Sequence, residues 1–151
     1  MELKLKVNNV ERIFKVGPGE MLGDVLRRNG FTSVRKACGT GSCGVCTVLI
    51  DDNPIASCAY LALKAEGHNI TTIEGVSKEA EIIGKFLNDE GAAQCGYCSP
   101  GFILTVIAMR KALNNPTEDE IKHYLVGNLC RCTGYLGHLR AVKKYLQEVA
   151  E

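Results

Sequence analysis

Three features are missing from this 151-residue sequence, and each absence argues against a class of protein. Basic and acidic residues nearly cancel, 18 against 17, so the net charge of +1 predicts no binding to nucleic acid or to an anionic membrane. No segment approaches the roughly 18 consecutive apolar residues that a transmembrane helix needs. Residues 1–10 lack the apolar core of a secretory signal, so we expect a cytoplasmic protein.

Histidine is also scarce, which bears on catalysis. His68, His123 and His138 are the only three, and nothing in their spacing suggests a catalytic triad. We therefore expect no acid–base chemistry from this chain. Its composition, 46% hydrophobic and 23% charged, is that of a globular protein with one ordinary domain or two small ones.

Cysteine is the abundant functional residue, with eight copies. This is about 5% of the chain, below the roughly 8–10% typical of small disulfide scaffolds. A reducing compartment also disfavours disulfides. Cysteines in such a setting usually bind metal, carry out redox chemistry or pack as small apolar residues.

The hydrophobic pattern divides the chain near residues 74–78 and predicts domains at 1–75 and 76–151. In the first half, alternation and β-branched residues predict strands at 3–7, 12–16, 47–50, 55–57 and 70–73, with a turn at 51–54. A helix beginning near Met21 is expected to end at Gly30. In the second half, helical spacing predicts four helices, at about 82–87, 102–113, 117–126 and 136–149. Thr117 and Glu120 form a predicted capping box.

The first group of cysteines is Cys38, Cys43 and Cys46, in the spacing C-x4-C-x2-C, with Cys58 following across a short hairpin. This is the spacing of plant-type [2Fe–2S] ferredoxins. The three interleaved glycines at 39, 41 and 44 allow crowded backbone conformations and close approach of N–H groups to sulfur. Structural zinc is the alternative, but it usually uses two C-x2-C pairs at longer separation.

The second group is less specific when only its spacing is considered. Cys95 and Cys98 form C-x2-C, and Cys130 and Cys132 form C-x-C. A thioredoxin-like site would need a βαβ context, whereas these flanks are helical. A zinc site with four cysteines fits the first pair but fits C-x-C poorly. A second [2Fe–2S] cluster is favoured over zinc, and both stay open at this point.

The residues around these cysteines resemble a known family. The segments QCGYCSPG at 94–101 and GNLCRCTGY at 127–135, together with 38–46, closely resemble the small iron–sulfur subunit of the xanthine oxidase and xanthine dehydrogenase family of molybdenum hydroxylases. The resemblance covers about residues 3–149. It implies an α+β fold: an N-terminal β-grasp, plant-type ferredoxin domain followed by an all-α four-helix-bundle domain.

The resemblance also implies the cofactors. One [2Fe–2S] cluster would be held by Cys38, Cys43, Cys46 and Cys58, and the other by Cys95, Cys98, Cys130 and Cys132. Gln94 matches the family glutamine that hydrogen-bonds the molybdenum pterin of a partner; alternatively, it is a polar residue that satisfies a helix end. Molybdenum–pterin and FAD are expected in two partner subunits, one large and one of medium size.

The expected function is therefore electron transfer by a non-catalytic subunit. Single electrons would pass between the molybdenum–pterin subunit and the flavin subunit; a zinc-stabilised scaffold without a redox role is the alternative. Arg27, Arg28, Arg35 and Lys36 are expected to form a solvated basic face, or else to meet an acidic flavin subunit. Ala37, Val45 and His138 depart from the family pattern, and His138 is expected at the solvent or at an interface.

Overall fold

A computed structural model describes residues 1–149 of the chain. Its first half contains a mixed five-stranded sheet in the order β2-β1-β5-β3-β4. Neighbouring strands are antiparallel except β1 and β5, which are parallel. The strands are β1 (Glu2–Val7), β2 (Val10–Lys15), β3 (Thr47–Ile50), β4 (Asn53–Ala56) and β5 (Asn69–Thr71).

One helix, α1 (Leu22–Arg28), covers a face of this sheet. Leu3, Leu5 and Val7 alternate inward along β1 and join the same apolar core as the buried face of α1. The helix ends as predicted, with Gly30 just beyond it in the left-handed region at φ 95°. A mixed sheet grasping a single helix confirms the predicted ferredoxin-like half of the fold.

The turn between β3 and β4 is shorter than predicted. Asp51 and Asp52 both adopt positive φ, 47° and 67°, the conformation of a two-residue hairpin turn. The strand therefore begins at Asn53 and not at residue 55, and it includes Pro54. Proline is tolerated because β4 is an edge strand of the sheet. The last strand is also shorter than predicted, since Ile73 starts a short 3-10 turn, Ile73–Val76.

The second half has four helices, as predicted: α2 (Ser77–Asp89), α3 (Ser99–Ala112), α4 (Glu118–Leu125) and α5 (Leu136–Glu148). Helix α3 is buried continuously from Gly101 to Met109, which makes it the central helix of this half. The capping box of Thr117 and Glu120 is present at the start of α4. None of the helices within residues 1–149 combines the length and the apolar character of a membrane span.

Two apolar cores meet at β3. Val48 and Ile50 face the core beneath α1, whereas Leu49 joins the core around α3. Successive side chains of a strand point to opposite faces, so this fully buried strand packs against both halves. The helical half therefore lies directly against the sheet, beside the cysteine-rich loop that precedes β3.

Candidate metal centres

The loop at 38–46 wraps around its own cysteines. Gly39, Gly41 and Gly44 all have positive φ, between 68° and 77°. The turn at Gly41 directs its amide to the Sγ of Cys58 at 3.3 Å. Two further amides point at sulfur: that of Thr40 at Cys38 (3.4 Å) and that of Cys58 at Cys46 (3.5 Å). These donors suit a sulfur-ligated, net-negative cluster.

The second group of cysteines lies where α3 and α5 begin. Cys98 is the residue immediately before α3, so its sulfur is close to the positive end of the helix dipole. Cys130 and Cys132 lie in the loop that leads into α5, and Cys132 brings its Sγ to 3.5 Å from that of Cys95. The amide of Tyr97 points at Cys95 (3.5 Å), and the hydroxyl of Thr133 donates to Cys130 (3.2 Å).

In both groups the thiols are close enough to interact in pairs, and the Sγ atoms of Cys95 and Cys132 lie 3.5 Å apart. The pairs are Cys38 with Cys43, Cys46 with Cys58, Cys95 with Cys132, and Cys98 with Cys130. Two thiolates per iron is the ligation that each half of a [2Fe–2S] cluster requires. Four sulfurs around one zinc would instead all lie about 3.8 Å apart, given Zn–S bonds of about 2.3 Å. Within residues 1–149, no three sulfurs of either group lie within 4.8 Å of one another, so the donor set fits [2Fe–2S] better than zinc.

The thiols of these pairs differ in acidity. Hydrogen bonds from the Thr40 hydroxyl and amide lower the pKa of Cys38 to about 5. Burial raises the pKa of Cys98 to about 12 and that of Cys58 to about 11. Each group thus combines a surface-facing and a more sheltered thiol. Since metal ligation requires thiolates, binding at the sheltered positions must be coupled to proton release.

A single backbone hydrogen bond joins the two groups. The amide of Leu129, next to Cys130, donates to the carbonyl of Cys43 at 2.9 Å. Two glycines make this approach possible: a Cβ at Gly44 would lie 2.3 Å from the carbonyl oxygen of Gly127, and one at Gly101 would lie 2.3 Å from that of Gly44. Spacing of the cysteines alone did not indicate this contact, because it depends on how the halves pack.

Further contacts hold the loops of the two groups together. Arg35 donates to the carbonyl of Gly96 (2.6 Å) and lies over the Tyr97 ring, 5.0 Å from its centroid. The Tyr97 hydroxyl donates in turn to the carbonyl of Lys36 (2.8 Å). Of the four basic residues near the first group, Arg27, Arg28 and Lys36 are exposed, as a solvated face requires, whereas Arg35 is half-buried. Each has a protein partner, and they pair with the Val34 carbonyl (Arg27), Glu20 (Arg28), the Gly96 carbonyl (Arg35) and Asp24 (Lys36).

Two other predicted positions have different outcomes. Gln94 is exposed beside Cys95, and within residues 1–149 its side chain neither caps a helix nor forms another hydrogen bond. His138 was expected at the solvent or at an interface, and the solvent-facing expectation is wrong: only 3% of it is exposed. The Phe102 ring packs against the imidazole edge to face, with ring centroids 4.6 Å apart.

Comparison with known proteins agrees with this arrangement. Residues 5–69 match the family model described as a 2Fe-2S iron-sulfur cluster binding domain, and residues 72–143 match the [2Fe-2S] binding domain. The chain is 38% identical to the nicotinate dehydrogenase small FeS subunit of Eubacterium barkeri, over 98% of this chain and 96% of that one. It is 47% identical to the xanthine dehydrogenase iron-sulfur-binding subunit of Escherichia coli O157:H7, over 78% of this chain and 77% of that one.

A solved structure is also similar to this chain in both fold and sequence. The crystal structure of quinoline 2-oxidoreductase from Pseudomonas putida 86 has a chain that superposes with a TM-score of 0.91 at 36% identity, covering 99% of this chain and 94% of that one. The chain belongs to the small iron–sulfur subunits of the xanthine dehydrogenase family of molybdenum hydroxylases. This confirms the predicted resemblance. The chain is thus a non-catalytic oxidoreductase subunit that transfers electrons through two [2Fe–2S] domains.

Proposed function

We propose that this chain relays single electrons between a molybdenum–pterin subunit and a flavin subunit, with Cys38, Cys43, Cys46 and Cys58 holding one [2Fe–2S] cluster and Cys95, Cys98, Cys130 and Cys132 the other. When bound, these clusters supply one-electron redox chemistry between two centres that exchange electrons in pairs. The observation that carries the proposal is the hydrogen bond from Leu129 to Cys43, which connects the two cysteine groups directly.

The burial of the individual cysteines gives the relay two ends at the surface and a sheltered middle. Cys95 and Cys132 are exposed at one end, and Cys38 is exposed at the other. Between them, Cys98 and Cys130 are half-buried and Cys43 is buried. The junction is thus more sheltered from solvent than the two ends, and each end remains open to a partner. Two separate surface ends suit transfer between two different subunits.

Gln94 indicates which end of the relay faces the molybdenum–pterin partner. Its amide is exposed next to Cys95 and is not used by this chain within the described residues. An amide offers both a donor and an acceptor, which is what a pterin edge requires. We therefore place the molybdenum–pterin partner at the Cys95–Cys132 end, and the flavin partner at the Cys38 end. Nicotinate and xanthine, which the names of relatives mention, are the first substrates to test on the complex.

Two other assignments belong to this proposal. The division into domains at 1–75 and 76–151 is supported by the two apolar cores, although Leu49 is shared across the boundary. A cytoplasmic location is supported by the proposed use of all eight cysteines of residues 1–149 as metal ligands, with none in a disulfide. The zinc scaffold is disfavoured by the paired spacing of the sulfurs.

The order of the relay can be tested in the complex purified with its partner subunits. In Cys38→Ser, we expect substrate to reduce the helical-domain cluster rapidly but flavin slowly, because the path is interrupted after the first step. In Cys98→Ser, we expect substrate to reduce neither the ferredoxin-domain cluster nor flavin at the normal rate. Rapid-freeze EPR follows the clusters, and stopped-flow absorbance follows flavin.

The matched control is Gly84→Ala, which lies in α2 at a position where a Cβ meets no atom within 4 Å. It should leave both rates unchanged. Normal flavin reduction in Cys98→Ser would contradict the relay. The reverse pattern, in which Cys38→Ser blocks reduction of the helical-domain cluster, would contradict the proposed order.

A further inference from the structure

A hydrogen-bonded chain of two side chains leads from the interior of the helical half to a sulfur of the second group. His138, in the first turn of α5, has its Nδ1 2.9 Å from the hydroxyl oxygen of Thr133. That hydroxyl lies 3.2 Å from the Sγ of Cys130 and donates to it. His138 is buried, with only 3% of it exposed. The Thr133 hydroxyl is the polar side-chain group that its Nδ1 contacts.

The direction of both hydrogen bonds follows from ligation. A cysteine bound to iron has lost its proton, so Cys130 can only accept. Thr133 has one hydroxyl proton, and donating it to sulfur leaves the oxygen available only as an acceptor. The group 2.9 Å away must then be the donor, which places a proton on Nδ1 of His138. Hydrogen bonds arranged in series polarise one another in a shielded environment.

We propose that His138 is a positioning residue that acts through Thr133 to raise the reduction potential of the helical-domain cluster. A hydrogen bond to a ligand sulfur stabilises the more negative, reduced state of a cluster, and the potential rises as a result. His138 strengthens that bond by polarising the Thr133 hydroxyl and holding its rotamer. This inference rests on the proposed assignment of Cys130 as a ligand.

Direct ligation by His138 is the competing interpretation, because its ring nitrogen, Cys98 Sγ and Cys130 Sγ all lie within 4.8 Å of one another. Two observations favour the indirect role. The nitrogen nearest to Thr133 is occupied by that hydroxyl, and the four cysteines already provide two sulfurs for each iron. His138 also lines a cavity of about 380 Å³ with Phe102 and Tyr135, so other side chains have room at this position.

The experiment is an EPR-monitored redox titration of the cluster-loaded full chain and four variants: His138→Leu, His138→Asn, Thr133→Val and the Thr133→Val/His138→Leu double variant. We expect His138→Leu and Thr133→Val to shift the midpoint of the helical-domain cluster to more negative values. His138→Asn keeps a nitrogen donor near the same place, so its midpoint should stay close to wild type. The ferredoxin-domain cluster is the internal control and should not shift.

The double variant separates the indirect role from a direct one. If His138 acts only through Thr133, the double variant has the same midpoint as Thr133→Val alone. Additive shifts, or a wild-type midpoint in either single variant, would overturn the inference. His138→Met replaces His138→Leu if the latter does not fold. Iron and sulfide analysis of Cys130→Ser tests the ligand assignment separately: a full content of both would refute that assignment, whatever the midpoints show.

Discussion

The contact between Gly101 and the loop at 38–46 leads to a quantitative prediction for Gly101→Ala. The added Cβ would lie 2.3 Å from the Gly44 carbonyl oxygen, whereas ordinary contact begins at 3.4 Å, so the two segments must separate by about 1.1 Å. Both the Gly44 and the Val45 contacts are to backbone atoms, which cannot rotate away. Overpacking of this kind costs about 1–3 kcal/mol. Within a helix, alanine is favoured over glycine by roughly 1 kcal/mol, which offsets part of this cost.

We therefore expect Gly101→Ala to lower the free energy of unfolding by up to about 2 kcal/mol. The separation should also weaken the hydrogen bond from Leu129 to Cys43, which lies across the same contact. The assays are urea denaturation of the cluster-loaded chain and hydrogen exchange at the Leu129 amide. A second readout is the magnetic interaction between the two reduced clusters in EPR, which should decrease with distance.

Gly84→Ala is the matched control, because it makes the same change in a helix where the Cβ meets open space. It should stabilise the chain slightly, by up to about 1 kcal/mol, and leave exchange at Leu129 unchanged. The reasoning would be refuted if Gly101→Ala were as stable as Gly84→Ala and the Leu129 amide remained equally protected.

Two further predictions concern the helical half. Tyr145 is buried, with its hydroxyl donating to Glu79 (2.8 Å) and accepting from Arg110 (3.3 Å); burial raises its pKa to about 12, so it stays neutral at physiological pH. Tyr145→Phe removes both hydrogen bonds and should lower the free energy of unfolding, measured by urea denaturation, by about 1 kcal/mol. A variant as stable as the wild type would contradict this prediction. Thr117→Ala removes the hydroxyl that caps the Glu120 amide (3.3 Å), so it should lower the free energy of unfolding by about 1 kcal/mol. Thr117→Ser keeps a hydroxyl and should leave the free energy of unfolding unchanged. An equal loss in both variants would exclude a capping role.

The sequence was most informative where a local rule decides the structure. Alternation along β1, the glycine after α1 and the capping box before α4 each depend on neighbouring residues, and all three predictions are confirmed. The start of β4 was predicted too late because aspartate pairs adopt positive φ less often than Asn-Gly or Asp-Gly. Two aspartates nevertheless form the two-residue turn here.

The residues of the candidate site could be predicted from the sequence, but the contacts that join them could not. All eight cysteines could be selected from spacing and flanking residues, and the structure brings them together in two groups of four. The hydrogen bond between Leu129 and Cys43 depends on the packing of one half against the other, and the burial of His138 depends on the packing of α5 against α3. No periodicity or spacing encodes such long-range contacts. A histidine three residues after a Gly-Tyr turn has no local signal that distinguishes burial from exposure.

The most direct test of the central claim is the metal content of the purified chain. Two [2Fe–2S] clusters require about four iron and about four acid-labile sulfide per chain, and reduction should produce two distinct EPR signals. Bound zinc without sulfide, and no EPR signal on reduction, would contradict an electron-transfer role for the two groups of cysteines.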